Sequence, residues 1–329
     1  MTGRIVSVAI PVHDGGPRVE SVLRAVAAQR VDAEVEVVVL DSGSTDGSPE
    51  RAAALGARIE RLAPERFGHG HARNELMRRT GGELVAFLTQ DAVPADPGWL
   101  ARLLDAMASA PDVAVACGPY RPLLGARPWT RRQLAAWFAA MAEGDAVRVV
   151  RAADLPLGRD GRPAPSPLSF HTDANGCLRR AAWEEVPFRD VAYAEDQRLA
   201  LDLLAAGYAK AFHPRAVVEH SHDYGPVEQL RRTFDEFRAL REVYDHREPL
   251  HPRALLGRAR REAAGDRAYM RAEGLDGAAL DGMTLAAAAH HLARGAGAAL
   301  GTRADRLPEP LRARLSLERR GGFAARSGG

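Results

Sequence analysis

The chain has 329 residues, 46% of them apolar and 27% charged, enough to bury a large core as one sizeable domain or two smaller ones. Basic residues exceed acidic ones by only 45 to 43, which gives no ground to expect a nucleic-acid-binding protein. The balance is uneven: from His251 to Gly329 there are 14 Arg against 8 acidic residues, so an anionic partner would dock on the tail. Cys117 and Cys177 lack CxxC or Cys/His spacing and are expected as buried thiols. The N-terminus runs straight into a strand without a signal sequence, and Met283 to Leu300 is interrupted by His290, His291, Arg294, Gly295 and Gly297. A cytoplasmic protein, in reach of the inner face of the membrane, is the expectation.

In chain order, Ile5 to Val12 is a strand that passes Pro11 and His13 into Asp14-Gly15-Gly16-Pro17, and Pro17 to Gln29 has helical spacing through Val19, Val22, Leu23 and Val26. Val35 to Leu40 is the second strand, so strand, helix and strand imply a parallel sheet. The first turn lacks GxGxxG, against a dinucleotide-binding Rossmann enzyme, and has no lysine, against a nucleotidyltransferase phosphate loop. Asp41 to Ser48 (DSGSTDGS) packs two carboxylates, four hydroxyls and two glycines behind that strand. Such a loop can hydrogen-bond a nucleoside through Asp41 at the strand tip. Alternatively it is a solvated turn, with Asp46 or Thr45 capping the helix Pro49 to Leu55.

Ala57 to Leu62 is a third strand, and Phe67 to Asn74 (FGHGHARN) leads into a helix through Leu76 and Met77. Arg73 and Asn74 on a first helical turn could reach a base or a phosphate, while His69 and His71 suit loop ordering. Glu83 to Thr89 is the central strand, buried on both faces. After it come Gln90, Asp91, Pro94 and Pro97, which stop the ladder and hold a carboxylate where open α/β sheets bind ligands. A lone Asp here equally caps a turn. Trp99 to Met107 is the helix that follows.

AIPVHDGG, DSGSTDGS, ARN, TQDA in place of D-x-D, and a later EDQ resemble family-2 glycosyltransferases, nucleotide-sugar enzymes of the GT-A fold, over Val6 to Tyr224. FGHGHARN with FLTQDAVP looks most like the bacterial rhamnosyltransferases that use dTDP-rhamnose. The resemblance implies an α/β fold with a mixed, mostly parallel sheet flanked by helices. It implies a donor site of Pro11, His13, Asp41, Ser42, Arg73, Asn74, Gln90 and Asp91, with Asp41 on the base and Asp91 on Mg²⁺ or Mn²⁺ at the diphosphate. Thr89 stands where the first D-x-D Asp is usual, so metal ligation rests on Asp91.

The acceptor half opens with the strand Val113 to Cys117 and a helix from Arg131 to Met141; Asp145 to Pro167, rich in Gly, Pro and Arg, is expected as a mobile lid-like loop. A strand at Asp173 to Arg179, a helix at Ala181 to Val186, and a periodic helix opened by Glu195-Asp196-Gln197 follow. Two acids on a first turn are favoured by the helix dipole alone. By resemblance, Asp196 is the catalytic base of inverting transfer and Glu195 the second choice. After the strand Ala216 to Glu219, His222, ahead of His220, is the preferred imidazole for the metal.

Pro226 to His246 is an amphipathic helix, followed by Arg-rich helices at Arg253 to Glu273 and Leu280 to Leu300, and the last ten residues are expected to lack order. These helices would pack on the catalytic domain or a second subunit of a homodimer, or lay a basic face on anionic lipid. The expected domains are a catalytic one, 1–225, divided into a nucleotide-sugar half, 1–112, and an acceptor half, 113–225, and a helical extension, 226–329. The expected function is metal-assisted transfer of a sugar, rhamnose or another deoxysugar, from a dTDP-sugar to a glycan, lipid-linked or small-molecule acceptor, with no nucleic acid involved. UDP- or GDP-sugar donors, and a catalytically silent nucleotide-sugar-binding protein, are the alternatives.

Overall fold

A computed structural model describes residues 5–318; the tail expected to lack order lies outside the described residues. The chain forms two compact units: Met1–Leu123, Trp137–Val191 and Glu195–His220 make the first, and Leu124–Ala136, Ala192–Ala194 and Ser221–Gly329 the second.

The first unit is built on a mixed sheet of eight strands. In chain order its strands are β1 (Ile5–Val12), β2 (Glu34–Asp41), β3 (Arg58–Arg61), β4 (Leu84–Leu88), β6 (Val113–Cys117), β8 (Arg148–Val150), β9 (Asn175–Arg179) and β10 (Ala209–Phe212), with β5 (Val93–Pro94), β7 (Tyr120–Arg121) and β11 (Val218–Glu219) forming a second, three-stranded sheet. The large sheet runs β3-β2-β1-β4-β9-β6-β10-β8. β1 is parallel to β2 and β4, and β6 to β10, whereas β9 is antiparallel to both its neighbours.

Alternate side chains of the central strands leave on opposite faces, and both faces are covered. Leu84, Ala86 and Leu88 pack with Val19, Val22 and Leu23 of the helix Gly16–Ala27 and with Leu100 and Leu103 of the helix Trp99–Ala108. Val85 and Phe87 pack on the other face with Leu76 of the helix His69–Arg79 and with Leu199 and Leu203 of the helix Glu195–Ala205. This is why these strands read as unbroken apolar runs. Pro11 is tolerated in a central strand because pairing of β1 with β4 ends at Ala9 and Phe87, before the ring is reached. Pro94 falls on β5, an edge strand of the small sheet.

One expectation is corrected and one strand was not foreseen. The stretch from Asp145 to Pro167 is not a structureless loop: it contains β8, which closes the sheet edge antiparallel to β10. β10 itself, Ala-Lys-Ala-Phe, gave no strand signal because Lys210 sits in its middle, yet all four residues are buried.

The second unit is helical, with helices Pro226–Tyr244, Pro252–Ala272, Gly277–Gly301 and Glu309–Leu315. A Cβ on Gly297 would lie 2.3 Å from the Leu230 carbonyl oxygen, so glycine lets two of these helices meet backbone to backbone. Asp235, wholly buried, accepts hydrogen bonds from the Ser316 hydroxyl and the N–H groups of Leu317 and Glu318, which pins the last described residues. No helix among the described residues is long and apolar enough to cross a membrane.

Candidate active site

The topology gathers chemistry at one edge of the large sheet. β1, β2 and β4 end there, and the antiparallel β9 begins there, with Asn175 opposite Leu88. β6 also ends there, with Cys117 opposite Gly176. Asp14, Asp41, Asp91 and Asp173 are therefore neighbours of strand termini along a single margin. Asn175 fastens it: its amide accepts from the Trp99 indole at 2.7 Å and donates to the carbonyls of Ala216 at 2.7 Å and Pro119 at 3.2 Å.

The loops after β1 and β2 are laced together. The N–H of Ser42 donates to the Val12 carbonyl, and Asp14 accepts from the N–H of Thr45 at 2.7 Å. Asp46 accepts from the N–H groups of Gly16 at 2.7 Å and Ser48 at 2.9 Å, so it serves two helix starts and not only the one expected from the sequence. Gly43 turns the loop with φ +90°, where a side chain would also strike Pro64. Asp41 is only 3% exposed; it accepts from the N–H groups of Gly43 and Ser44, which uses two of its four lone-pair positions. The Gln90 side chain accepts from the N–H of His13 at 2.8 Å and donates to the His13 carbonyl at 3.1 Å, binding the loop after β4 to the loop after β1.

Past β4, Asp91 Oδ1 lies 3.5 Å from Nδ1 of His220, and the His220 ring meets Tyr120 edge-on at 5.0 Å. His220, the second choice from the sequence, lies beside Asp91 within the first unit. His222 belongs to the second unit, stacked on Tyr224. Among the described residues the Thr89 hydroxyl, where an acid is usual, is buried without a hydrogen-bond partner.

A cluster of buried charge follows at the start of β9. The N–H of Asp173 donates to Asp196 Oδ2 at 3.2 Å, which brings Asp196 to the same sheet edge as Asp91. Burial, reinforced by the carboxylates of Glu195 and Asp173, pushes Asp196 up to about 7. Arg73 Nε lies 3.8 Å from Asp173 and 3.9 Å from Glu195, with its guanidinium over the Phe87 ring.

Two donor-site expectations meet a different geometry. Arg73 is 5% exposed and faces these acids, not an open helix terminus. Asn74 is consumed structurally: it donates to the Phe188 carbonyl at 2.9 Å and accepts from the Trp183 indole at 2.8 Å and the Phe188 N–H at 3.1 Å. Both acceptor positions of its oxygen are thereby filled, and one N–H of the amide is left to donate. Sequence reasoning missed His171 and Asp173, because a buried His-Thr-Asp reads as an ordinary polar turn; the one signal was a cluster of polar residues directly before an apolar strand.

Comparison with known proteins matches this arrangement. The family model described as glycosyl transferase family 2 matches residues 7–184. The O-antigen chain rhamnosyltransferase RfbN of Salmonella typhimurium is 30% identical over 236 residues, 70% of each chain. Among solved structures, the mannosyltransferase PcManGT from Pyrobaculum calidifontis, in complex with GDP-Man and Mn²⁺, superposes with a TM-score of 0.56 at 19% identity, over 92% of this chain and 88% of that one. Glucosyl-3-phosphoglycerate synthase from Mycobacterium tuberculosis, in complex with Mn²⁺, UDP-Glc and phosphoglyceric acid, gives a TM-score of 0.50 at 23% identity, over 73% and 80%. With a sheet edge of this construction and a family match over more than half its length, the chain belongs to glycosyl transferase family 2 and is a glycosyltransferase of the GT-A fold.

Proposed function

We propose that the chain transfers a sugar, with inversion at the anomeric carbon, from a nucleoside-diphosphate donor to an acceptor hydroxyl. The observation that carries this reading is the sheet edge shared by Asp91 and Asp196. Displacement in line needs a base at the attacking hydroxyl and charge neutralisation at the departing diphosphate. Asp196 takes the hydroxyl proton. An apolar, acid-lined setting raises its affinity for that proton and so makes it a stronger base. Glu195 orients the acceptor or the neighbouring Arg73. Asp41 meets the nucleoside and Asp91 the diphosphate end, with Pro11, His13, Ser42 and Gln90 shaping the loops between them.

Asp91 and His220 fit a divalent cation. A carboxylate oxygen and an imidazole nitrogen 3.5 Å apart are within reach of one ion, and the nitrogen favours Mn²⁺ over Mg²⁺. His222, two residues along, is a further imidazole donor. When bound, the cation neutralises charge on the diphosphate leaving group.

For the donor we favour a dTDP-deoxysugar, rhamnose foremost, on the strength of the RfbN relative. Thermal shift against dTDP-, UDP- and GDP-sugars, with and without Mn²⁺, tests this. Saturating dTDP-sugar with Mn²⁺ is expected to raise Tm by about 5 °C or more. A larger rise with GDP-sugars overturns the donor and leaves the reaction class standing.

The basic tail supports a membrane-facing reading. Helix Pro252–Ala272 exposes Arg253, Arg260, Arg261 and Arg271 beside Leu256. We assign this face to anionic lipid, where each such Arg contributes about 1 kcal/mol. The protein is expected to float with vesicles containing phosphatidylglycerol and to stop doing so when Arg253, Arg260 and Arg271 become Glu. Equal recovery with neutral vesicles excludes the assignment.

A further inference from the structure

Three carboxylates, Asp173, Glu195 and Asp196, stand against two cations, Arg73 and His171, at the start of β9. Asp173 is 1% exposed and, among the described residues, its carboxylate oxygens accept no hydrogen bond. An ionised group so placed is tolerable only when opposite charge lies close. It is supplied by His171 Nε2 at 3.4 Å and Arg73 Nε at 3.8 Å. His171 is itself fully enclosed, between Asp173 and the Cys117 sulfur at the end of β6. The segment carrying both residues is pinned from below: the buried ammonium of Lys210 on β10 donates to the carbonyl of Phe170.

We propose that His171 and Asp173 form a positioning pair behind Asp196, with the Asp173 main chain fixing one Asp196 oxygen and the opposed charges of the two side chains setting how readily Asp196 takes up a proton. The proposal rests on the reading of Asp196 as the base. Neither residue touches substrate in this scheme; both act through Asp196.

The groups facing the pair are few. Asp196 sees Glu195 on its own helix, and Asp173 and His171 on the segment before β9; Arg73, from the helix His69–Arg79, faces Asp173 and Glu195. His171 sees Asp173 and Cys117, and Lys210 faces Cys117 and Arg148. Burial alone would keep His171 neutral, but Asp173 and Cys117 outweigh it and hold the ring protonated up to about 9. Its positive charge lowers the proton affinity of Asp196, and the Asp173 carboxylate raises it.

The two substitutions therefore have opposite signs. His171→Gln is expected to move the acid limb of the kcat/KM profile up by about 1 pH unit, and Asp173→Asn, with imidazole NMR checking that Cys117 still holds His171 charged, to move it down by about as much. A purely structural role lowers activity without moving the limbs apart, so limbs that stay put or shift together overturn the proposal. Should either variant fail to fold, imidazole NMR of the unaltered full chain decides: His171 is expected as imidazolium at pH 7.5, and a neutral ring overturns the proposal. Full turnover in Asp196→Asn would sink the underlying reading of the base. Loss of turnover there, with unmoved limbs in the other two variants, would sink the positioning pair alone.

Discussion

Replacing Asp196 by Asn is expected to lower kcat by about 10² to 10⁴-fold, the usual contribution of a positioned general base, with donor binding retained. The fold should tolerate the change. An Asn oxygen still accepts one of the two N–H groups now bound, that of Asp173 at 3.2 Å or of Gln197 at 2.7 Å, and one charge is withdrawn from a group of three acids. Because burial and its acidic neighbours lift Asp196 to about 7, the unprotonated form prevails above that pH and is lost as pH falls through it. Wild-type kcat/KM should accordingly fall about tenfold per pH unit below the midpoint. A variant within tenfold of wild type, or a flat wild-type profile from about pH 5.5 to 8, would assign the proton to another group.

Asp91→Asn is expected to cost on the order of 10²-fold in kcat/KM at saturating Mn²⁺ and to raise the Mn²⁺ concentration needed for half-activation. The reason is charge: an amide oxygen replaces an anionic ligand 3.5 Å from His220, and a cation at a diphosphate contributes several kcal/mol at the transition state. With Thr89 in the place of another acid, little else on the loop after β4 can compensate. Titrating Mn²⁺ against both proteins checks this. Coincident activation curves and rates would remove Asp91 from the cation's ligands.

Much of the fold was legible because burial on both faces writes unbroken apolar runs. β1 and β6 fall on the residues that periodicity and turn signals mark out, Ile5–Val12 and Val113–Cys117. β10 was hidden by its buried lysine and β8 by its Gly, Pro and Arg surroundings. Of the two-residue strands of the small sheet, β11 falls within the strand expected at Ala216 to Glu219, whereas β5 and β7 are shorter than any pattern can register. At the site, Asp41, Asp91 and Asp196 stood out because each follows or opens a regular element. The choice between His220 and His222 did not, since both lie in one HSH triplet and the letters give no ground to separate them. Asn74 carries a structural duty that its motif does not announce. An amide that ties down Phe188 and one that binds a nucleotide are the same letter in the same motif.

β9 runs against both its neighbours, and this reversal sorts the enzyme's evolutionary freedom. Loops that follow β1, β2 and β4 are exits, each fixed in place by the strand before it. The segment before β9 is an entrance, reached after the chain has left Arg121, paired β8 with β10 and been held at Phe170 by Lys210. An excursion between two fixed anchors can lengthen, shorten or change composition while its re-entry point keeps the same address. On the proposed function, rewriting that detour would change the acceptor while the loops proposed to hold the nucleotide stay as they are.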